Sequence, residues 1–556
     1  MNYNDLNPGG QPIVKDVANS SVDPRVVIKS RRWVTQLVLV LVIVSSIFRF
    51  TNLDGRFYWH DESMTSIRTA GQNPELIRSQ LDNRLVEFQD LQKFQHRDPT
   101  SNVGEMVNLL AVQDAKHPPF YFMLVWAWRQ IFGDSITAIR LFSAVISLLI
   151  FPALYWLGLE LFANTTIATM MMGVVAFSPI HLLFAQEARA YSLWTVLIIA
   201  SSAALLRAMK QRTRLNWLVY IVLATMGVYT QTLFTLVLLG HGIYVGGLSW
   251  HTSESKRWGI PRIALTYLGS LSLIGAIFSP WLYQIVKTLE TLQGNTAWAF
   301  SSVSKGFLVK KWLITYSATF VDWDGWILAK PNSLINYAPK GIVVLVLIAA
   351  FYFLCRNTQK RIWLLLVALI APFIGGLMLP DLILGGQRSI ASRYFLGVFI
   401  ALQIAIAYLF SVKIFAHNAK RPNLWKSGLM LMLVLQIISC NSIIHSQVWW
   451  TKFYNLVSVA NIINRVENTL VISDTQLGAN LGSLIALSNQ IKPGVKLQLV
   501  NSSNPPLLPL GFKQVLLVST ANPDRLLLAY EDAYTMDLLP KSDGLVWQMT
   551  PKTTEN

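Results

Sequence analysis

Long apolar runs alternate along this chain with shorter polar stretches rich in Lys and Arg. Runs of roughly 20 residues fall at 33–50, 136–158, 165–184, 191–208, 216–230, 232–249, 263–286, 339–355, 362–380, 394–412 and 426–445. That length crosses a bilayer as a helix, so the pattern predicts about eleven transmembrane helices. Segment 120–132 is apolar but short and carries Arg129, which predicts an interfacial or re-entrant helix instead. After residue 445 the pattern changes. Strands are expected at 468–474, 495–500 and 514–519, and helices at 481–491 and 525–534. Alternating strands and helices predict a small α/β domain. It has no glycine-rich phosphate fingerprint, so no nucleotide is assigned to it. The expected fold class is an α-helical polytopic membrane protein with a small extracytoplasmic α/β C-terminal domain.

Composition agrees. Of 556 residues, 53% are hydrophobic and 13% charged, against about 25% charged in soluble domains. The net charge of +17 fits basic loops facing an anionic leaflet, so the partner it implies is the lipid bilayer and not nucleic acid. Cys355 and Cys440 lie in apolar runs and make neither a metal spacing nor a disulfide framework. Trp33 to Phe50 lacks a small-residue cleavage site and reads as a retained first span.

Charge sets the expected orientation. With 120–132 not spanning, the clusters Lys29/Arg31/Arg32, Arg207/Lys210/Arg212/Arg214, Lys256/Arg257/Arg262, Arg356/Lys360/Arg361 and Lys413/Lys420/Arg421 all fall on the side of the N-terminus. That side is cytoplasmic by the positive-inside rule. Lysines in 287–338 cut the other way, but that loop is long enough for the rule to weaken. The organisation is then a disordered cytoplasmic segment 1–32, a transmembrane region 33–445 with outer loops 51–135 and 287–338, and an extracytoplasmic domain 446–556. No internal repeat is visible.

The candidate chemistry sits at outer ends of spans. Tyr58-Trp59-His60-Asp61-Glu62-Ser63 follows the first span, where aromatic neighbours are expected to desolvate a carboxylate and raise its basicity. Two acids in a loop can be merely solvated. At this depth they can also accept a proton from an acceptor hydroxyl or amide. Gln186-Glu187-Ala-Arg189-Ala-Tyr191 fills a tight outer turn, where charge is costly unless paired or used. The turn is either a simple helix-end ion pair, or Glu187 is an acidic contact to acceptor or cation with Arg189 holding phosphate. His117-Pro118-Pro119 reads as a helix start or as a histidine donating to phosphate or sugar. Arg388 and Arg393, near Gly385-Gly386, either anchor a helix end or hold a phosphate with their planar forks. Lys305 to Lys311 can bind phosphate but reads rather as ordinary loop solvation, and Asp322-Trp-Asp324 is a weak divalent-metal signal.

Taken together, these residues resemble the GT-C superfamily of polyprenol-dependent glycosyltransferases. The likeness is closest to the bacterial family-39 group of protein mannosyltransferase-like and aminoarabinose transferase-like proteins. It covers roughly 33–210. It runs through Asp61-Glu62, His117-Pro-Pro-Phe-Tyr121, Phe132-Gly133, Arg140-Leu-Phe-Ser-Ala144, Leu157-Gly-Leu-Glu-Leu-Phe162, Ser178-Pro179 and Gln186-Glu187-Ala-Arg-Ala-Tyr191, with Arg393-Tyr394 a looser match. The resemblance implies a bacterial plasma-membrane enzyme that takes a sugar from a polyprenyl-phosphate donor with inversion and passes it to a lipid, glycan or protein acceptor on the extracytoplasmic face. Asp61 would be the base and Glu62 its assistant. His60 and Glu187 would contact acceptor or metal, and Arg189, Arg388, Arg393 and His117 the donor phosphate. Glu187 stands where many members have Asp, which leaves dependence on a divalent cation, Mg or Mn, open. A lipid or solute transporter would put paired ionisable residues mid-span. A non-catalytic scaffold would explain the tail but not the acidic outer turns.

Overall fold

The computed structural model describes residues 32–249, 261–289, 297–322, 334–450, 456–474, 478–519 and 523–552. The expected disordered N-terminus up to residue 31, the Lys256/Arg257 cluster and Asp324 lie outside the described residues. Among those described, eight helices are long and apolar enough to cross a membrane: Arg32–Phe50, Ile136–Phe162, Tyr191–Gln211, Arg262–Lys287, Tyr337–Asn357, Lys360–Ile383, Ser392–Phe415 and Pro422–His445. A ninth is a pair, Thr165–Ala176 and Pro179–Ala185, bent by 67°. The bend comes at Ser178-Pro179, because the residue before a proline is driven out of helical geometry. The two other predicted spans are helices of 17 and 16 residues, Arg214–Thr230 and Phe234–Ser249. Phe120–Phe132 is a 13-residue helix.

Burial separates lipid-facing helices from core helices. Ser392–Phe415 and Tyr191–Gln211 are enclosed, whereas Arg32–Phe50 and Tyr337–Asn357 leave most of their apolar surface outward. An exposed apolar face on a spanning helix needs no protein partner, since lipid covers it.

The tail forms a sheet that does not belong to the tail alone. Its strands are β1 (Leu85–Glu87), β2 (Thr469–Asp474), β3 (Lys496–Val500), β4 (Gln514–Val518), β5 (Tyr534–Leu538) and β6 (Val546–Pro551), in the order β1-β3-β2-β4-β6-β5. β2 runs parallel to β3 and β4; the other pairings are antiparallel. β1 comes from the long loop that follows the first span. The loop extends this pairing with Asn83 N–H to Leu499 C=O and Phe88 N–H to Val495 C=O. Phe57, Trp59, Ile67, Ile77, Leu81, Phe88 and Leu91 of the loop share one apolar core with the tail residues Val471, Leu484, Ile485, Leu497 and Leu516. This loop and the tail are therefore one packed body. The helices expected at 481–491 and 525–534 run instead over Gly478–Ser488 and Asp524–Tyr530, and Tyr534 opens β5.

Candidate active site

Helix His60–Thr69 begins directly after Trp59 and carries Asp61 and Glu62 in its first turn, where the positive end of the helix dipole favours acids. The two carboxylates face different surroundings. Asp61 lies 3.2 Å from His60 Nε2 and keeps about a fifth of its side chain exposed. Glu62 is sealed from solvent.

Glu62 is closed into an ion pair. Its Oε1 accepts from Arg140 Nε at 2.8 Å and from the Ala188 N–H at 2.8 Å, and its Oε2 accepts from Arg140 Nη2 at 2.7 Å. Arg140 also donates to the carbonyls of Leu53, Arg56 and Phe57. Glu62 was expected beside Asp61 in the chemistry. The structure gives it another task, tying the start of the helix to the span Ile136–Phe162 and to the 186–190 turn.

Arg189 reaches the same helix from that turn. Its Nη1 donates to the Asp61 carbonyl and to Thr65 Oγ1, each at 3.2 Å. The turn is fixed by Gln186, which donates to the carbonyls of Phe48 and Thr51 at the end of the first span and accepts from Arg56 Nη2. Burial would raise the Asp61 carboxyl. Arg189 and His60, with Arg393, outweigh it and hold the group well below the usual carboxylate range. The expected gain in basicity is thus reversed: desolvation is present, but the cations around the carboxylate win. Glu187 is buried in the same turn as Arg189, and its charge acts on Arg56 and Arg140.

Next to this centre lies a mostly cationic cluster. Asp114 pairs with Arg68, with Lys116 Nζ at 3.6 Å and His117 Nε2 at 3.9 Å. Burial would raise the Asp114 carboxyl, but Arg68, His117 and Lys116 bring it down to about 2. Burial, together with Arg189, Arg68 and Lys116, pushes the His117 imidazole well below its usual range, against the opposing pull of Asp114. His60, Asp61, Arg189, His117 and Arg393 are thus brought into one electrostatic neighbourhood. Arg388 is held elsewhere: its Nη1 donates to Asp381 Oδ1 at 2.8 Å, and the guanidinium lies over the Phe300 ring. Asp381 is fixed in turn by the Ser389 N–H and hydroxyl. The Lys305–Lys311 stretch forms part of helix Lys305–Ser317.

Reading the residues alone gave no role to Arg68, Arg129, Asp114 or Lys116. A run such as Asp-Ala-Lys-His at 114–117 carries no signal until Arg68 is folded onto it. Arg129 is fully buried and holds the far end of helix His60–Thr69, donating to Ser66 C=O at 2.8 Å, Thr69 Oγ1 at 2.6 Å and Gln95 C=O at 2.6 Å. Its charge on an apolar helix is the one mark it leaves in the sequence.

Most acids around Asp61 are matched to cations. Glu62 is matched to Arg140, Asp114 to Arg68, and Asp61 sits among positive groups. Among the described residues no group of three or more His, Cys, Asp or Glu converges. Asp322, the described half of the Asp-x-Asp pair, accepts instead from the indoles of Trp449 and Trp450, both at 2.7 Å.

Residues 116–284 match the family of dolichyl-phosphate-mannose-protein mannosyltransferases. No curated protein sequence matches the chain. Among solved structures, ArnT from Cupriavidus metallidurans bound to undecaprenyl phosphate shares 14% identity at a TM-score of 0.51, covering 94% of this chain and 99% of that one. Its apo form gives 13%, 0.51, 93% and 98% in the same order. The oligosaccharyltransferase of Archaeoglobus fulgidus aligns at 10% identity and a TM-score of 0.46, over 93% of this chain and 75% of that one.

Proposed function

We infer that this chain, whose fold is that of the GT-C glycosyltransferases acting on polyprenol-linked sugars, moves a sugar from a polyprenyl-phosphate donor to an acceptor at the outer face of a bacterial plasma membrane. The observation that carries this reading is the asymmetry of the acidic pair. Glu62 is spent on Arg140, while Asp61 stays partly open beside a surplus of positive groups at the ends of spans.

The chemistry follows from that arrangement. The acceptor's oxygen or nitrogen lone pair forms a bond to the anomeric carbon. The bond from that carbon to the phosphate oxygen breaks, and polyprenyl phosphate leaves with the electron pair. The acceptor's proton passes to Asp61. Inversion is the stereochemical outcome of a single displacement. Arg189, Arg393, Arg68 and His117 are suited to the anionic donor and to the charge that grows on the leaving phosphate. The low proton affinity of Asp61 belongs to the protein without donor. A donor phosphate close to Arg189 and Arg393 offsets their positive field and returns basicity to the carboxylate when it is needed. Proximity does much of the remaining work, since the leaving group is already good.

The test compares glycans, lipids and proteins by mass spectrometry in cells making the wild-type protein or Asp61→Asn. One sugar-bearing product disappears and its lipid-linked donor persists, with the variant still inserted in the membrane. Full product formation by Asp61→Asn overturns the reading.

A further inference from the structure

Helix His60–Thr69 is held from several sides. Arg140 grips it through Glu62, Arg189 through the Asp61 carbonyl and Thr65, and Arg129 through Ser66 and Thr69. On another side it packs against helix Gly478–Ser488, which follows β2 in the tail, more than 400 residues away in sequence. The approach is close at one position. A methyl group built on Gly482 would stand 3.1 Å from Met64 Cγ, 3.3 Å from Met64 Sδ and 3.3 Å from the main-chain oxygen of His60. These are tighter than ordinary carbon contacts, and the His60 oxygen belongs to the peptide that leads into Asp61. Gly482 lies in an ordinary helical stretch, where glycine is less favourable than alanine. The close packing gives that glycine a reason.

We propose that Gly482 is a positioning residue for Asp61: by having no side chain it lets the tail helix seat against the His60–Met64 turn and fixes where the Asp61 carboxylate stands. The tail domain is then part of the active site and not an appendage. The proposal rests on the reading of Asp61 as proton acceptor. Because the three arginines restrain the other sides of the helix, a side chain at 482 moves the His60–Asp61 peptide before it moves the clamps. A displacement near 1 Å at a reacting group costs on the order of 100-fold in rate.

The experiment uses the full-length protein in lipid nanodiscs and, as source of donor and acceptor, the total lipid and membrane extract of the parent cells. The initial rate of the product lost in Asp61→Asn is measured per folded molecule at several extract dilutions. Gly482→Ala is expected to slow the rate severalfold and Gly482→Val about 100-fold, at an unchanged apparent KM. Met64→Ala added to Gly482→Ala recovers only part of the rate, since it relieves the two contacts to Met64 and leaves the one to the His60 oxygen. Gly494→Ala is the structural control: its φ of +87° disfavours a side chain and its surroundings are open, so it lowers the melting temperature without slowing folded enzyme. A wild-type rate in Gly482→Val, or equal slowing by Gly494→Ala, overturns the inference while an inactive Asp61→Asn leaves the functional reading standing. An active Asp61→Asn overturns that reading itself.

Discussion

Glu62 and Arg140 face one another through two hydrogen bonds of 2.8 and 2.7 Å, with both side chains closed to solvent. They are 78 residues apart, and the pair joins the helix that carries Asp61 to a membrane span. Removing one partner of such a pair leaves a buried charge uncancelled, at a cost of about 3–5 kcal/mol. Glu62→Gln is therefore expected to lower the melting temperature of the purified protein by several degrees. Arg140→Lys is expected to do the same, because an ammonium cannot span both carboxylate oxygens and three backbone carbonyls. A melting temperature within a degree of wild type for both variants would contradict this account of Glu62.

Arg189 acts on Asp61 from the neighbouring turn. Its positive charge is one of the causes that hold the carboxyl down, so Arg189→Gln raises the proton affinity of Asp61. The acid limb of the transfer rate, which reports protonation of this carboxylate, moves to higher pH in the variant. The maximal rate falls as well, since the helix loses its bonds to the Asp61 carbonyl and Thr65. An acid limb that stays in place, measured between pH 4 and pH 8, would separate Asp61 from the rate-controlling proton.

The sequence was most legible where one physical rule acts over a short stretch. Apolar runs announce spans because length and hydropathy are local; β2 and β4 stand out as short Val/Leu/Ile runs, and β3 as an alternation of apolar residues with Lys496 and Gln498. β1 is three residues, Leu85–Glu87, too short to alternate, and it becomes a strand only because β3 offers an edge. Tyr534 continues an amphipathic pattern from 525, yet it pairs with Pro551 in β5. In the site, His60, Asp61, Arg189 and His117 were visible as ionisable residues near span ends. Which acid pairs with which arginine was not. Arg140 meets Glu62 and Arg68 meets Asp114 across long separations, and only the packed fold decides those matches.

Acid stability tests the cluster around Asp114. The native Asp114 value is about 2, against about 3.9 for an unfolded chain. The native protein keeps this carboxylate ionised where the unfolded chain takes up a proton. Its contribution, about 2.5 kcal/mol, is complete above the unfolded value and is lost as pH falls through about 2. Asp114→Asn is thus less stable at pH 7, and the gap to wild type narrows below pH 4. His117 works the same way on a higher window. Its native value lies below the unfolded one near 6.5, so the unfolded chain binds the proton first and stability falls as pH drops beneath 6.5. His117→Gln flattens that part of the profile. Thermal unfolding from pH 7.5 down to pH 3 reads both effects, and parallel profiles for wild type and His117→Gln would refute the second.

Sidedness can be read from a residue far from the chemistry. The sheet takes β1 from the loop that carries Asp61, and Leu507 lies between β3 and β4 of that sheet, 97% exposed. Labelling residue 507 therefore reports the side of the membrane on which Asp61 lies. With Cys355 replaced by Ser and Cys440 left buried, Leu507→Cys in intact spheroplasts should react with a membrane-impermeant maleimide. Arg212→Cys, exposed just beyond the span Tyr191–Gln211, should react only after permeabilisation. The opposite result would put the Asp61 carboxylate in the cytosol, on the wrong side for a donor presented at the outer leaflet, and the transfer reaction would have to be abandoned.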